Sequence, residues 1–415
     1  MNKLKKIISN NISVLNNFSY LTALQIFNIV APLIAYPFLI RILGTNNFGL
    51  VIYAQSIISY FVILVTFGFN ISATKKVSQY RNNLKKLGEV VSNVIIIKII
   101  LFLISLLILE LFLYLTNQNF DTVILFNLVM WMCVYEVIFP QWYFQGIEQM
   151  KYITYITLII RIIFLGMIFI IIKSPDDYLL LPIINGLGTI IAGSISLYII
   201  FFKHKIKFKF QPIKTLRYYL NDSLTIFIST ISFNVYKSTN KVVVGMFLGM
   251  SSITFYDLAE KIIAVAKIPQ NILSQSVFPK ISLEKNIIYI KDIFKISIIM
   301  NFIISLIVLI FAKELVLLLG DSTMLPSIEI IQILVFSVVI IAMGNVFGIQ
   351  TLIPFGYNRI FTRVVLRSVI LYFFLLFLVW ITLGFSIKNI SIILVIVETF
   401  STLNWYYFCK RKKLW

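Results

Sequence analysis

Twelve long apolar stretches fill this chain, and the basic residues between them fall almost entirely into every second gap. A helix needs about 20 apolar residues to cross the hydrocarbon layer of a bilayer. Runs of that length, bounded by charge, Gly, Pro or Asn, cover approximately 18–40, 48–69, 90–115, 121–144, 152–172, 179–202, 220–248, 253–279, 293–319, 327–353, 362–384 and 389–408. Hydrophobic residues are 60% of the 415 and charged residues 13%, with a mean hydropathy of +0.96, a composition that no water-soluble domain of this length would tolerate. The spacing predicts an all-α polytopic membrane protein of about 12 transmembrane helices.

A net charge of +20 suggests nucleic acid at first sight, but the positions of the charges argue against it. Lys3, Lys5 and Lys6 precede the first helix; Lys75, Lys76, Arg81, Lys85 and Lys86 follow the second; Lys151 follows the fourth. Lys203, Lys205, Lys207, Lys209, Lys214 and Arg217 follow the sixth, Lys280, Lys285, Lys291 and Lys295 the eighth, and Arg359, Arg363 and Arg367 the tenth. Lys410, Arg411, Lys412 and Lys413 come after the twelfth. The opposite gaps hold only Arg41, Lys173 and Lys388, with Lys313 near the end of the ninth helix. Positive charge marks the cytoplasmic face, so both termini are expected there, as an even number of crossings also requires.

The longest basic connection divides the chain into an N-terminal six-helix lobe (1–202), a cytoplasmic connection (203–219) and a C-terminal six-helix lobe with a basic tail (220–415). A shift of 205 positions places Leu43, Gly44, Ala54, Ile57 and Ile58 on Leu248, Gly249, Ala259, Ile262 and Ile263, with Gln55 on Glu260. Six helices per repeat make the two copies parallel, related by an axis along the membrane normal.

No small-residue cleavage site follows the basic start, so the first helix is expected to insert uncleaved. Cys133 lies within the fourth span and Cys409 at the cytoplasmic end of the twelfth, which leaves neither a disulfide nor a metal cluster in prospect. His204, the single histidine, sits in the lysine-rich connection and reads as a surface residue. No Gly is followed by Lys, so the chain has no Walker sequence to cradle ATP. No external connection reaches the size of a catalytic domain, and Asp176 with Asp177 reads as a solvated turn after Pro175. These features favour a transporter without cofactors over an enzyme.

Ionisable residues at membrane depth each cost on the order of 3 kcal/mol on insertion scales, so they are where function is sought. Lys237 and Lys241 stand four apart on the seventh helix beneath Thr230 and Asn234, a polar stripe suited to receiving an anion such as a pyrophosphate. A buried pair neutralised by neighbouring acids is the structural alternative. Asp257, Glu260 and Lys261 open a similar stripe on the eighth helix, where Asp257 and Lys261 can pair at i and i+4. Arg161 and Glu136 each lie roughly 12 to 13 Å from the cytoplasmic ends of adjoining antiparallel helices, so an ion pair between them is feasible. Lys98 and Glu110 are near enough to an interface to snorkel. Glu398, close to the middle of the last helix, is a candidate proton carrier.

Several strings resemble a family. PLIAYPFLIRILGTNNFG from Pro32 to Gly49 and GFNISATK from Gly68 to Lys75 are similar to the start of bacterial O-antigen flippases. FPQWYFQGIEQMKYIT from Phe139 to Thr154, AEKI at Ala259–Ile262, SQSVFPKIS at Ser274–Ser282 and GIQTLIPFG at Gly348–Gly356 extend the likeness through both halves. The resemblance implies the polysaccharide transporter branch of the multidrug, oligosaccharidyl-lipid and polysaccharide exporter superfamily, with two six-helix lobes around a central cavity. It implies a substrate made of an oligosaccharide repeat unit on undecaprenyl pyrophosphate, moved across the bacterial inner membrane, and an O-antigen polymerase as a cooperating partner.

The expected function is therefore a flippase working by alternating access, with ion counterflow or product consumption as the drive. Lys237, Lys241, Lys261 and Arg161 are the candidate substrate-binding cations, and Glu398, Asp257 and Glu136 the candidate ion-coupling or gating carboxylates. A multidrug or small-cation antiporter on the same fold is the alternative, although its cavity should be acidic. A membrane polymerase or acyltransferase lacks an intramembrane histidine and a large external loop.

Overall fold

A computed structural model describes the backbone of residues 2–415 and the side chains of residues 20, 24, 26–228, 230, 231, 235 and 238–415. Among the described residues the chain is helical throughout, without strands. Nine helical stretches in this set are long and apolar enough to cross a membrane; the first, Ile26–Tyr80, spans 55 residues and accommodates two crossings. The seventh and eighth expected spans correspond to the helices Ile213–Leu248 and Met250–Glu284, the latter in two pieces, so the helical layout is consistent with twelve. The protein is a multi-pass, all-α membrane protein.

The helices form two compact units that cut across chain order. Unit 1 comprises residues 1–31 and 54–231, and unit 2 residues 32–53 and 232–415. The first long helix, α1 (Asn2–Thr66), therefore gives its ends to unit 1 and its middle to unit 2. Unit 1 continues with α2 (Phe69–Tyr80), α3 (Leu84–Leu115), α4 (Phe120–Val129), α5 (Trp131–Ile138), α6 (Gln141–Gly146), α7 (Met150–Ile171) and α8 (Leu180–Tyr198). The helix α9 (Ile213–Leu248) passes from unit 1 to unit 2. Unit 2 then holds α10 (Met250–Ala266), α11 (Ile268–Glu284), α12 (Ile287–Ile310), α13 (Ala312–Leu319), α14 (Ser327–Leu334), α15 (Phe336–Gly344), α16 (Asn358–Thr382) and α17 (Ile387–Arg411).

Helix surfaces invert the pattern of a soluble protein. On α12 the fully buried or nearly buried positions Ser297, Asn301 and Ser305 are four apart on one face, whereas Ile299, Phe302, Ile303 and Ile310 are exposed. On α3 Leu103, Leu107, Leu111 and Leu115 are exposed while Ser92, Asn93 and Ser105 are buried. Apolar groups outward and hydrogen-bonding groups inward is the arrangement a lipid surround requires, since small polar residues let helices approach closely and bond across the bundle.

Breaks in the helices have local causes. Gly44 (φ 73°, ψ 166°) interrupts α1, and Gly249 (φ 89°, ψ 168°) separates α9 from α10. That backbone region is open essentially only to glycine. The two glycines occupy equivalent positions in the 205-residue repeat and share one conformation, and their turns pack together inside unit 2. Thr254 Oγ1 donates to the Thr45 carbonyl at 2.7 Å, and Thr45 Oγ1 donates to Ser251 Oγ at 3.2 Å. Gly49 lies so close to the Met250 carbonyl that a Cβ there would collide with backbone.

Phe139–Pro140 ends α5. Proline has no N–H to offer the carbonyl four residues back, at Glu136. Lys98 Nζ takes the place of that donor, bonding the Glu136 carbonyl at 2.8 Å and its carboxylate at 3.1 Å. Just beyond, Trp142, Tyr143 and Phe144 are each about fully buried, and Gly146 seats α6 against Val77 and Thr74 of α2.

Candidate functional site

The densest group of charges among the described residues lies in unit 2, where α9 and α10 meet the middle of α1. Asp257 on α10 is its centre, with only 2% of its side chain exposed. Lys241 Nζ of α9 donates to Asp257 Oδ1 at 2.6 Å, and Lys261 Nζ, one turn along α10, donates to Oδ2 at 2.6 Å. Tyr36 OH donates to the same Oδ2 at 3.1 Å, and its ring lies 5.2 Å beneath the Lys261 ammonium. Glu260 Oε2 meets Lys241 Nζ at 2.9 Å. Both oxygens of Asp257 are thus occupied, which is how a buried carboxylate keeps its charge without water.

Exposure separates these groups. Lys241, Glu260 and Lys261 retain 22%, 26% and 30% of their side-chain surface, whereas the aspartate that fixes the two lysines is buried. Helix spacing explains this: residues 257 and 261 share a face at i and i+4, and 260 stands three beyond 257 on its flank. Behind Lys241, Asn240 is fully buried; its Nδ2 donates to Tyr256 OH at 3.0 Å and its Oδ1 accepts from Tyr372 OH at 2.6 Å. That triangle ties α9, α10 and α16 together and leaves Lys241 little freedom.

The structure brings Lys241, Asp257 and Lys261 together; Asp257 and Lys261 pair at i and i+4 as expected, and Lys241 is paired with two acids of the neighbouring helix, Asp257 and Glu260, which is the structural alternative named from the sequence. The Lys237 side chain lies outside the described residues. Glu398, the candidate proton carrier, is half-buried on α17 and is engaged by a neighbour. Arg161 and Glu136 both belong to unit 1, but Glu136 pairs with Lys98 rather than with Arg161. Lys98 is only 1% exposed, so it does not snorkel; it is spent on the carbonyl that Pro140 leaves without a donor. Arg161 is exposed on unit 1 and lies near Tyr135.

Sequence reasoning did not find Tyr36, Asn240, Tyr256 or Tyr372. One signal was available for the first: Tyr36 precedes Lys241 by the same 205 residues as the paired glycines. Elsewhere, Asp177 caps the turn at Pro175–Leu179, accepting from the Lys173 and Ser174 amides at 2.8 Å each. His204 Nδ1 lies 3.0 Å from Tyr143 OH. Burial, aided by the adjacent Lys203 charge, holds this imidazole below its ordinary value.

A family model described as "Polysaccharide biosynthesis protein" matches residues 14–283. The chain belongs to that family. The chain is similar to a protein of Escherichia coli (strain K12) named "Putative O-antigen transporter", at 27% identity over 379 residues, covering 89% of this chain and 90% of the relative. A protein of the same name from Shigella dysenteriae is 24% identical over 255 residues, covering 61% and 64%. Among solved structures, the lipid II flippase MurJ in an inward closed conformation aligns with a TM-score of 0.75 and 15% identity, covering 94% of this chain and 87% of the other. An inward-facing multidrug resistance MATE family transporter of the MOP superfamily gives 0.70 and 13%, covering 92% and 98%. At such identities the structural matches establish the fold of the chain, which accords with the resemblance carried by its sequence strings.

Proposed function

We propose that this protein is a flippase that moves undecaprenyl-pyrophosphate-linked oligosaccharide repeat units, of the O-antigen type, from the cytoplasmic to the periplasmic leaflet of the bacterial inner membrane. The carrying observation is the pair of partly exposed lysines, Lys241 and Lys261, fixed on membrane-embedded helices by the buried Asp257. Cations held in place at low dielectric attract an anionic phosphate strongly without having to reorganise. In this reading Lys237, one turn from Lys241, joins the cations for the head group, and Arg161 of unit 1 is a separate candidate substrate-binding cation. The lipid tail stays in the bilayer while the polar head crosses by alternating access. Asp257 acts as the anchor of the cationic pair, and Glu398 is assigned to ion coupling. Glu136, committed to Lys98, links any gating in unit 1 to that buried pair. The names of the relatives and the fold shared with a lipid II flippase support the reading. Both termini and the 203–219 connection would face the cytoplasm, and an O-antigen polymerase would consume the product.

The test is a conditional deletion in which surface polysaccharide and radiolabelled undecaprenyl-pyrophosphate glycans are followed together, with an impermeant reagent reporting the leaflet of the glycan. Loss of surface polymer with complete repeat units trapped on the cytoplasmic leaflet is the expected result. Accumulation on the outer leaflet would place the block after flipping and overturn the proposal. In sealed vesicles, flipping that is indifferent to proton and sodium gradients would remove the ion-coupled form of the mechanism.

A further inference from the structure

Resting on the proposed anion site, we propose that Glu260 is a built-in competitor for the phosphate: its carboxylate occupies Lys241 when no substrate is bound and is displaced by the head group. Among the described side chains of the cluster, Lys241, Lys261, Asp257 and Glu260 sum to zero, so within this group each ammonium charge is already matched by a carboxylate. The two carboxylates are not equivalent. Asp257 is buried, grips two ammonium groups at 2.6 Å and accepts a third bond from Tyr36, so removing it would take the ion-pair partner from Lys261 and one of two from Lys241. Glu260 is thirteen-fold more exposed by side-chain fraction, 26% against 2%, and its ion pair among the described residues is the single 2.9 Å contact with Lys241. A carboxylate that is 26% exposed and held by one ion pair is released at smaller cost than a buried one held by three bonds.

Displacement leaves Lys241 and Lys261 balanced by Asp257 alone, a net charge of +1 that a pyrophosphate oxygen then neutralises. Glu260 returns when the head group leaves, restoring the neutral cluster and helping to expel the product. An anion site without such a competitor would bind more tightly and release more slowly, which is a disadvantage in a carrier. The residue therefore sets the balance between capture and release and does not itself hold substrate.

The test uses the full-length protein in nanodiscs and three probes: inorganic pyrophosphate, undecaprenyl pyrophosphate and uncharged undecaprenol. Glu260→Gln is expected to tighten binding of both anions about 5- to 150-fold, the range of ordinary coupling between sites, with undecaprenol unaffected. It should also slow flipping per protein. Tightening for undecaprenyl pyrophosphate but not for the inorganic ion would assign the competition to the lipid-borne head group. Equal affinities in wild type and variant, where wild type does bind, would overturn the competitor role and leave the flippase reading standing. Absence of anion binding in both would remove the site and the inference together. A second measurement avoids mutation altogether. Water-soluble carbodiimide should couple the wild-type Lys241 amine to the adjacent Glu260 carboxylate, and pyrophosphate should suppress that cross-link, detected by peptide mass spectrometry. Cross-linking unchanged at saturating pyrophosphate would also overturn the proposal.

Discussion

Single side chains in this molecule are explained by the partner they face more than by their depth in the membrane. His204 provides a direct check, because it is the only histidine and its resonance is unambiguous. Its folded value is lowered by burial and by Lys203, below the ordinary imidazole value near 6.5. The neutral ring is the form the fold prefers, so its stabilisation is full above about pH 6.5 and is lost as pH falls through the lowered folded value. A histidine-labelled sample in nanodiscs should titrate below the free imidazole, and acidification should reduce thermal stability more in wild type than in a His204→Gln variant. A midpoint at or above the ordinary value would contradict the burial seen around Tyr143. The same principle shows how far the site was legible. Asp257 with Lys261 could be read from i and i+4 spacing on one helix, and Lys241 from the polar stripe on the preceding one. The partner of Glu136 could not, because the choice between Lys98 and Arg161 depends on helix rotation, which hydropathy does not encode. Nor does hydropathy reveal that Pro140 frees a carbonyl for Lys98 to occupy.

At the scale of elements, apolar length located the crossings but not their internal breaks. The expected span 121–144 is three helices, α4, α5 and α6: α4 and α5 are divided at Met130, and Pro140 stops α5 ahead of the buried Trp142–Phe144 segment. The expected span 253–279 divides between α10 and α11 at Lys267, just ahead of Pro269. In the opposite sense, the gap expected at 41–47 is nearly continuous helix, with Gly44 alone out of helical geometry. Periodicity cannot separate one long helix from two joined at a glycine. The repeat did supply this junction, since Gly44 and Gly249 carry it in both copies. The close packing of those turns leads to an expectation for Gly49, which abuts the Met250 carbonyl. Gly49→Val should destabilise the protein by about 1 to 3 kcal/mol or more, the usual cost of overfilling a packed contact, since backbone rather than a flexible side chain must move. Gly166, with nothing near the position of its Cβ, should accept Ala with little change. Thermal denaturation of both variants, monitored by intrinsic fluorescence in the same detergent, makes the comparison; equal midpoints would mean that the two turns do not depend on this approach.

On the scale of the whole molecule, the compact units do not follow the gene. Residues 32–53 belong with residues 232–415, although about 180 residues of unit 1 separate them along the chain. A gene divided within the basic connection should therefore yield a C-terminal fragment that is trypsin-sensitive alone and becomes resistant when the N-terminal fragment is co-expressed. Resistance of the lone fragment would show that residues 32–53 are dispensable to it. During synthesis the same arrangement imposes a wait. At roughly 5 to 20 residues per second, the segment bearing Tyr36 and Thr45 leaves the ribosome on the order of 10 to 40 s before Thr254 and Asp257 emerge to meet it. Throughout that interval its hydroxyls have no native partner, which makes the early membrane intermediate a natural client for insertion chaperones and the moment at which a slow or stalled ribosome would do most harm.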